Sequence, residues 1–187
     1  MKNKTLPIEK MLEIENWIEE IYDTIISNSM TDECLLKKLN LKLEYIDQNK
    51  FKPYIEAELC PSEDLNYNGL IRVNKKYINI RFAYMHEIIH YLRDVGFGNR
   101  VEKVFERKTR GNTKDQHEQE VDYATAATIL RYKVMKDIIL NYDRSKPKRD
   151  ELLLIYDICD KYNQEPTTVI RRIKEVRILM KRRMASY

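Results

Sequence analysis

Apolar residues near the start of the chain recur at helical spacing. Met11, Ile14, Ile18, Ile21 and Ile25 fall three or four apart with acidic residues between them, which predicts an amphipathic helix after Thr5. Trp17 belongs at the edge of that stripe. Thr31 is placed to cap a shorter helix running to about Leu39. The period then changes to two. Leu39, Leu41, Leu43 and Tyr45 alternate with polar residues, the pattern of a half-buried strand. Further strands are expected at 54–59 and at 70–74, the second after an Asn68-Gly69 turn signal. Ile78, Phe82, Met85, Ile89 and Leu92 return to spacings of four and three, and the pattern stops at Gly96 and Gly98, residues that suit a helix end. Residues 97–112, rich in glycine and charge, are expected to form a mobile flap. Thr113-Lys114-Asp115-Gln116 reads as a capping box, and Val121, Ala124, Thr128, Tyr132, Met135 and Ile139 mark one long helix after it. A linker over 141–149 contains Pro147. A helix with Leu152, Leu153, Tyr156 and Cys159 follows, then a turn at 163–166 and a helix through Ile170, Ile173 and Val176. The fold class expected is α+β: a small mixed or antiparallel sheet, mostly helices, and a C-terminal helical pair.

One pentapeptide changes the picture from fold to chemistry. Two of the three histidines stand in His86-Glu87-Ile88-Ile89-His90, inside the predicted helix. An offset of four puts both imidazoles on one helix face, about 40° apart and roughly 6 Å along the axis. Both rings can then bind one zinc ion, with Glu87 as general base toward the attacking water. The alternative use of the same residues is a core helix with two hydrogen-bonded packing histidines.

Zinc held by two histidines needs a third protein ligand. One extended zincin pattern would place glycine at 93 and histidine at 96; the chain has Arg93 and Gly96. The other arrangement draws a carboxylate from the next helix, in Gln116-His117-Glu118-Gln119-Glu120-Val121-Asp122. Glu118 and Asp122 are four apart and share a face. Glu118 is then a ligand candidate, and Asp122 an acceptor for a ligand histidine's second nitrogen. His117 and Glu120 compete for the ligand role, and carboxylates in a first helical turn also favour the helix dipole without any metal.

With these residues in hand, the chain resembles the ImmA/IrrE metallopeptidases. Arg81-Phe82-Ala83-Tyr84-Met85 leads into the pentapeptide, and Glu118-Gln119-Glu120-Val121-Asp122-Tyr123-Ala124 is similar to the family's second motif. Gly69-Leu70-Ile71-Arg72-Val73-Asn74-Lys75-Lys76 is similar to the strand and loop before the family's zinc helix. The resemblance covers about residues 35–131. It departs from the usual pattern at Ile89, where the family has glycine, and at Ile129-Leu130-Arg131, where the family has a Leu-Leu-Met-Pro-like run. It implies a zincin-like domain with His86, His90 and Glu118 as zinc ligands, Glu87 as catalytic base and Asp122 orienting the site. It also implies a protein substrate, a helix-turn-helix repressor of mobile-element or stress genes. A strand at 70–74, if at a sheet edge, would offer its backbone to an extended substrate. A regulator that binds a repressor or DNA without cutting it is the alternative.

Composition and charge refine this outline. The chain has 187 residues, enough for one domain with a small appendage. No apolar run approaches the ~20 residues that span a bilayer, and the basic start is followed by an acidic helix instead of an apolar signal region. Cys34, Cys60 and Cys159 are widely spaced and make no disulfide framework, which suits the cytoplasm. Residues 144–187 carry a net charge of +6 and residues 1–143 a net of −2. This predicts a metallopeptidase domain over 1–143 and a basic helical subdomain over 144–187, packed on the core. Helix, turn and basic helix outline a helix-turn-helix in which Arg171, Arg172, Lys174 and Arg177 would contact phosphates. Without recognised base-reading residues, weak or no specific nucleic-acid binding is expected.

Overall fold

A computed structural model of the chain describes residues 6–26, 30–52, 55–108, 115–145 and 151–185. Among them the fold is α+β, with seven α-helices and one four-stranded mixed sheet. No described helix is long and apolar enough to cross a membrane. Contacts group the chain into two compact units, Glu20–Thr125 and Met1–Glu19 with Ala126–Tyr187. The division expected from charge, at 143/144, does not coincide with these units, because the helix over 132–145 groups with the two that follow it.

In the unit Glu20–Thr125, helix α2 (Asp32–Leu39) begins where Thr31 Oγ1 accepts the Cys34 amide at 3.2 Å. It ends at Asn40, whose left-handed backbone turns the chain into β1 (Leu41–Ile46). Strands β2 (Ile55–Cys60), β3 (Gly69–Asn74) and β4 (Phe105–Lys108) complete a sheet of order β1-β3-β2-β4. β1 runs parallel to β3, and β2 is antiparallel to both its neighbours. The strand at 70–74 is therefore interior, not an edge; it lies between β1 and β2 and is buried on both faces. A Cβ at Gly69 would come within 2.5 Å of the Val101 side chain, so only glycine admits that approach. The segment expected as a mobile flap contributes β4, one of the two edge strands. Thr113 and the rest of the capping box up to Lys114 lie outside the described residues.

Helix α3 (Ile80–His90) packs against β2, β3 and β4. Asn79 Oδ1 accepts the Phe82 amide at 3.2 Å and sets its start. Ile78 precedes the helix and is 89% exposed, so it belongs to no stripe. Every residue from Phe82 to His90 is buried. The helix is enclosed on all sides, which is why its histidines and glutamate lie as deep as its isoleucines. A single π-turn (Tyr91–Val95) continues it to Gly96, where φ is 93°. Helix α4 (Gln116–Ile129) brings the second motif.

The long helix expected through Ile139 is broken. α4 stops at Ile129 and α5 (Tyr132–Ser145) starts afresh. In the unit that contains α5, the Leu130 carbonyl freed by this break accepts Arg172 Nε at 2.9 Å. α5 runs through the first part of the expected linker, and 146–150, with Pro147, lie outside the described residues. α7 (Pro166–Met184) packs on α5 and on α6 (Glu151–Tyr162). α6 buries Leu154, Ile155, Ile158 and Cys159 and leaves Leu152, Leu153 and Tyr156 exposed, so of the expected stripe only Cys159 faces inward. The sequence has two adjacent apolar stripes there, and only packing selects between them. Arg172 is fully buried, with Nη1 2.6 Å from Glu15 on helix α1 (Ile8–Thr24), and so is no phosphate contact. Met11, Ile14, Ile18 and Ile21 of α1 are buried as the pattern predicts, and Trp17 is half-buried at the edge.

Candidate metal centre

The four-residue offset in α3 sets His86 and His90 on one face with Nε2 atoms 3.2 Å apart. α4 supplies a carboxylate to the same spot. Glu118 Oε2 is 3.3 Å from His86 Nε2, and Glu118 Oε1 is 3.3 Å from His90 Nε2. A tetrahedral zinc with bonds of about 2.0–2.1 Å spaces its ligand atoms about 3.3–3.4 Å apart. The separations are of that size, with the two histidines meeting different oxygens of the Glu118 carboxylate, and the donor set is one that could hold such an ion.

Each of these histidines is held from behind. His90 Nδ1 lies 2.6 Å from Asp94 Oδ2, a residue that the π-turn carries back toward the ring. His86 Nδ1 faces two groups: Asp122 Oδ1 at 3.2 Å and Arg107 Nη1 at 2.6 Å. Arg107 in turn donates to Asp122 at 2.8 Å and to Glu56 at 2.9 Å, and its guanidinium stacks over Phe82. Arg107 can only donate, so its 2.6 Å contact has Nδ1 accepting; binding a metal through Nε2 with the Nδ1 proton given to Asp122 requires Arg107 to move off that nitrogen.

Glu87 is completely buried, and neither carboxylate oxygen has a hydrogen-bond partner. A buried orphan carboxylate is costly, and its place in an enclosed helix calls for a polar group that completes the site. Burial pushes its pKa up to about 7, against the pull of the neighbouring histidines and Arg107. For His90 burial alone would lower the pKa, but Asp94 and Glu118 outweigh it and raise it to about 9 in the metal-free protein. Glu118 goes the other way. Burial opposes ionisation, yet His86 and His90 hold its carboxyl far below the usual range.

Of the competitors for the third ligand position, His117 stays near the site: its Nε2 sits 2.9 Å from Asp94, and with His90 and Asp94 it makes a second group able to hold a metal ion. Glu120 is tied to Arg93 and accepts Gln116 Nε2 at 3.0 Å. Three groups have roles that sequence spacing did not reveal: Asp94, Arg107 and Glu56. The i, i+4 offset from His90 was a signal for Asp94; Arg107 and Glu56 are joined to the site only by strand pairing. Beside His90 and Glu118 opens a pocket of about 670 Å³ that is also lined by Val104 and by Phe105 and Glu106 of β4. The chain matches no protein-family model, and no curated protein is found similar to it.

Proposed function

We propose that this chain is a zinc-dependent endopeptidase with a zincin-like domain, as its resemblance to the ImmA/IrrE metallopeptidases implies. The observation that carries the reading is the orphan carboxylate of Glu87 beside three converging ligand atoms. His86, His90 and Glu118 would hold the metal. Bound zinc supplies Lewis acidity toward a peptide carbonyl and brings the pKa of its water to about 7. Glu87 takes up the proton released as water attacks the carbonyl carbon, and delivers it to the amine nitrogen as the C–N bond breaks. Asp94 and Asp122 fix which nitrogen of each imidazole carries hydrogen. The β4 edge is the element suited to pair with an extended substrate backbone next to the pocket.

The proposed substrate is a cytoplasmic protein, a helix-turn-helix repressor. Three free thiols agree with a reducing compartment, and the burial of Arg172 takes one candidate phosphate contact away from the C-terminal helices. The test is incubation of the zinc-loaded chain with the repressor encoded beside its gene. Fragments are expected with the parent and none with Glu87→Gln. Binding without fragments, in stoichiometric proportion, would favour the non-catalytic regulator instead.

A further inference from the structure

The sheet has two open sides, and only one borders the candidate metal centre. On the other side, β1 pairs with β3 from Leu41↔Gly69 to Ile46↔Asn74, and among the described residues no strand lies beyond it. The N–H and C=O groups of such an edge are a template for another extended chain. Here the edge reads Leu41-Lys42-Leu43-Glu44-Tyr45-Ile46, with its charges disposed symmetrically about Leu43. Suppose two copies pair antiparallel with Leu43 facing Leu43. Lys42 of each then stands across from Glu44 of the other, and Leu41 across from Tyr45.

Directly opposed residues in an antiparallel pair share a face, with Cβ atoms about 4.5–5.5 Å apart. Lys42 and Glu44 lie on one face within the chain, 2.8 Å apart and more than a third exposed, so each can exchange this intrachain partner for its counterpart in the second copy. The opposite face supplies the apolar part. Tyr45 is 48% exposed, and Leu41 with Leu36, Tyr67 and Tyr84 lines a groove of about 690 Å³ along the strand. In this register Tyr45 of the second copy stands across from Leu41, itself only 3% exposed, beside a groove that Asp32, Glu33 and Lys37 also line, and the two-fold axis repeats the contact. A lone edge lysine discourages pairing by repelling its own image. A lysine and a glutamate two residues apart attract theirs.

We propose that the β1 edge joins two copies of this chain in an isologous dimer with one sheet continuous across the axis. This inference is independent of the peptidase reading. The test is sedimentation velocity on the full-length chain across a wide concentration range, with Lys42→Glu and Glu44→Lys, each checked for an unchanged thermal melt. The parent is expected to dimerise. Either substitution turns both ion pairs into like-charge contacts and weakens the dimer about tenfold or more. An equimolar mixture of the two variants recovers parental dimerisation, since all four charges are then complementary. A parent that stays monomeric overturns the proposal, including one that instead captures an extended peptide at this edge. So does a dimer unmoved by either variant, or a mixture no better than its components.

Discussion

Arg107 and Arg172 are both buried guanidinium groups, 2% and 0% exposed, yet they serve different ends. Arg107 sits on a sheet edge between Glu56 and Asp122, and the second of these reaches His86. Arg172 sits on a helix between Glu15, a freed backbone carbonyl and, at 3.8 Å, Glu175. Glu175 Oε2 beside it is buried without a hydrogen-bond partner, as the Glu87 carboxylate is. The same costly device, a charge removed from water and repaid by partners, borders the candidate metal centre in one unit and ties helices together in the other. Perturbed ionisation alone would not tell them apart. Glu175 and Glu87 both have raised pKa values from burial, but only Glu87 faces converging metal-ligand atoms.

The comparison breaks first at Glu87. Glu87→Gln should leave metal content and the melting curve near the parent's and lower peptide hydrolysis about 10²- to 10⁴-fold. Retained hydrolysis would require another base. The two arginines come next. Truncating either to alanine strands buried carboxylates and should cost about 3–5 kcal/mol of stability, read from denaturant unfolding. Only Arg107→Ala should also weaken zinc binding, whereas Arg172→Ala, measured where it is still folded, should bind zinc as the parent does. Equal losses of zinc affinity would erase the distinction drawn between the two units.

A smaller effect belongs to the carboxylates behind the ligands. Asp94→Asn and Asp122→Asn should each lower zinc affinity about 10- to 100-fold without abolishing binding, because they orient imidazoles instead of touching metal. Chelator competition measures both. Smallest and most gradual is the dependence on pH. In the metal-free protein His90 is raised from 6.5 to about 9, so its contribution to stability is full below 6.5 and is lost as pH rises through 9. Glu87, raised from 4.5 to about 7, favours the fold while protonated, and that share fades between those values as pH rises. Metal-free thermal melts should therefore fall from pH 5 toward pH 9, while apparent zinc affinity climbs as His90 gives up its proton. A His90→Ala protein with the same pH profile would contradict the His90 part.

Much of this was legible in residue spacing. The α3 pentapeptide and the Glu118/Asp122 pair announced which side chains a helix could bring to one face, and strand alternation located β1 to β3 within a residue or two. β4 was not legible, because Phe105-Glu106-Arg107-Lys108 carries one apolar residue and no alternation of the usual kind. Its buried Arg107 is matched by charge, not by hydrophobicity. The interior position of β3 was likewise invisible, since sheet order depends on which strand returns beside which. On α6, Leu152, Leu153 and Tyr156 offered a stripe as plausible as Leu154, Ile155 and Ile158. Periodicity cannot choose between two overlapping apolar faces.

The central claim, a metal held by His86, His90 and Glu118, is tested most directly by titrating the metal-free chain with zinc and counting bound ions by elemental analysis. The account predicts one zinc per chain for the parent and for Glu120→Ala, and binding lost or greatly weakened in Glu118→Ala and His90→Ala. No stoichiometric zinc in the parent would contradict it, as would a loss that follows Glu120 or His117 while Glu118→Ala binds normally.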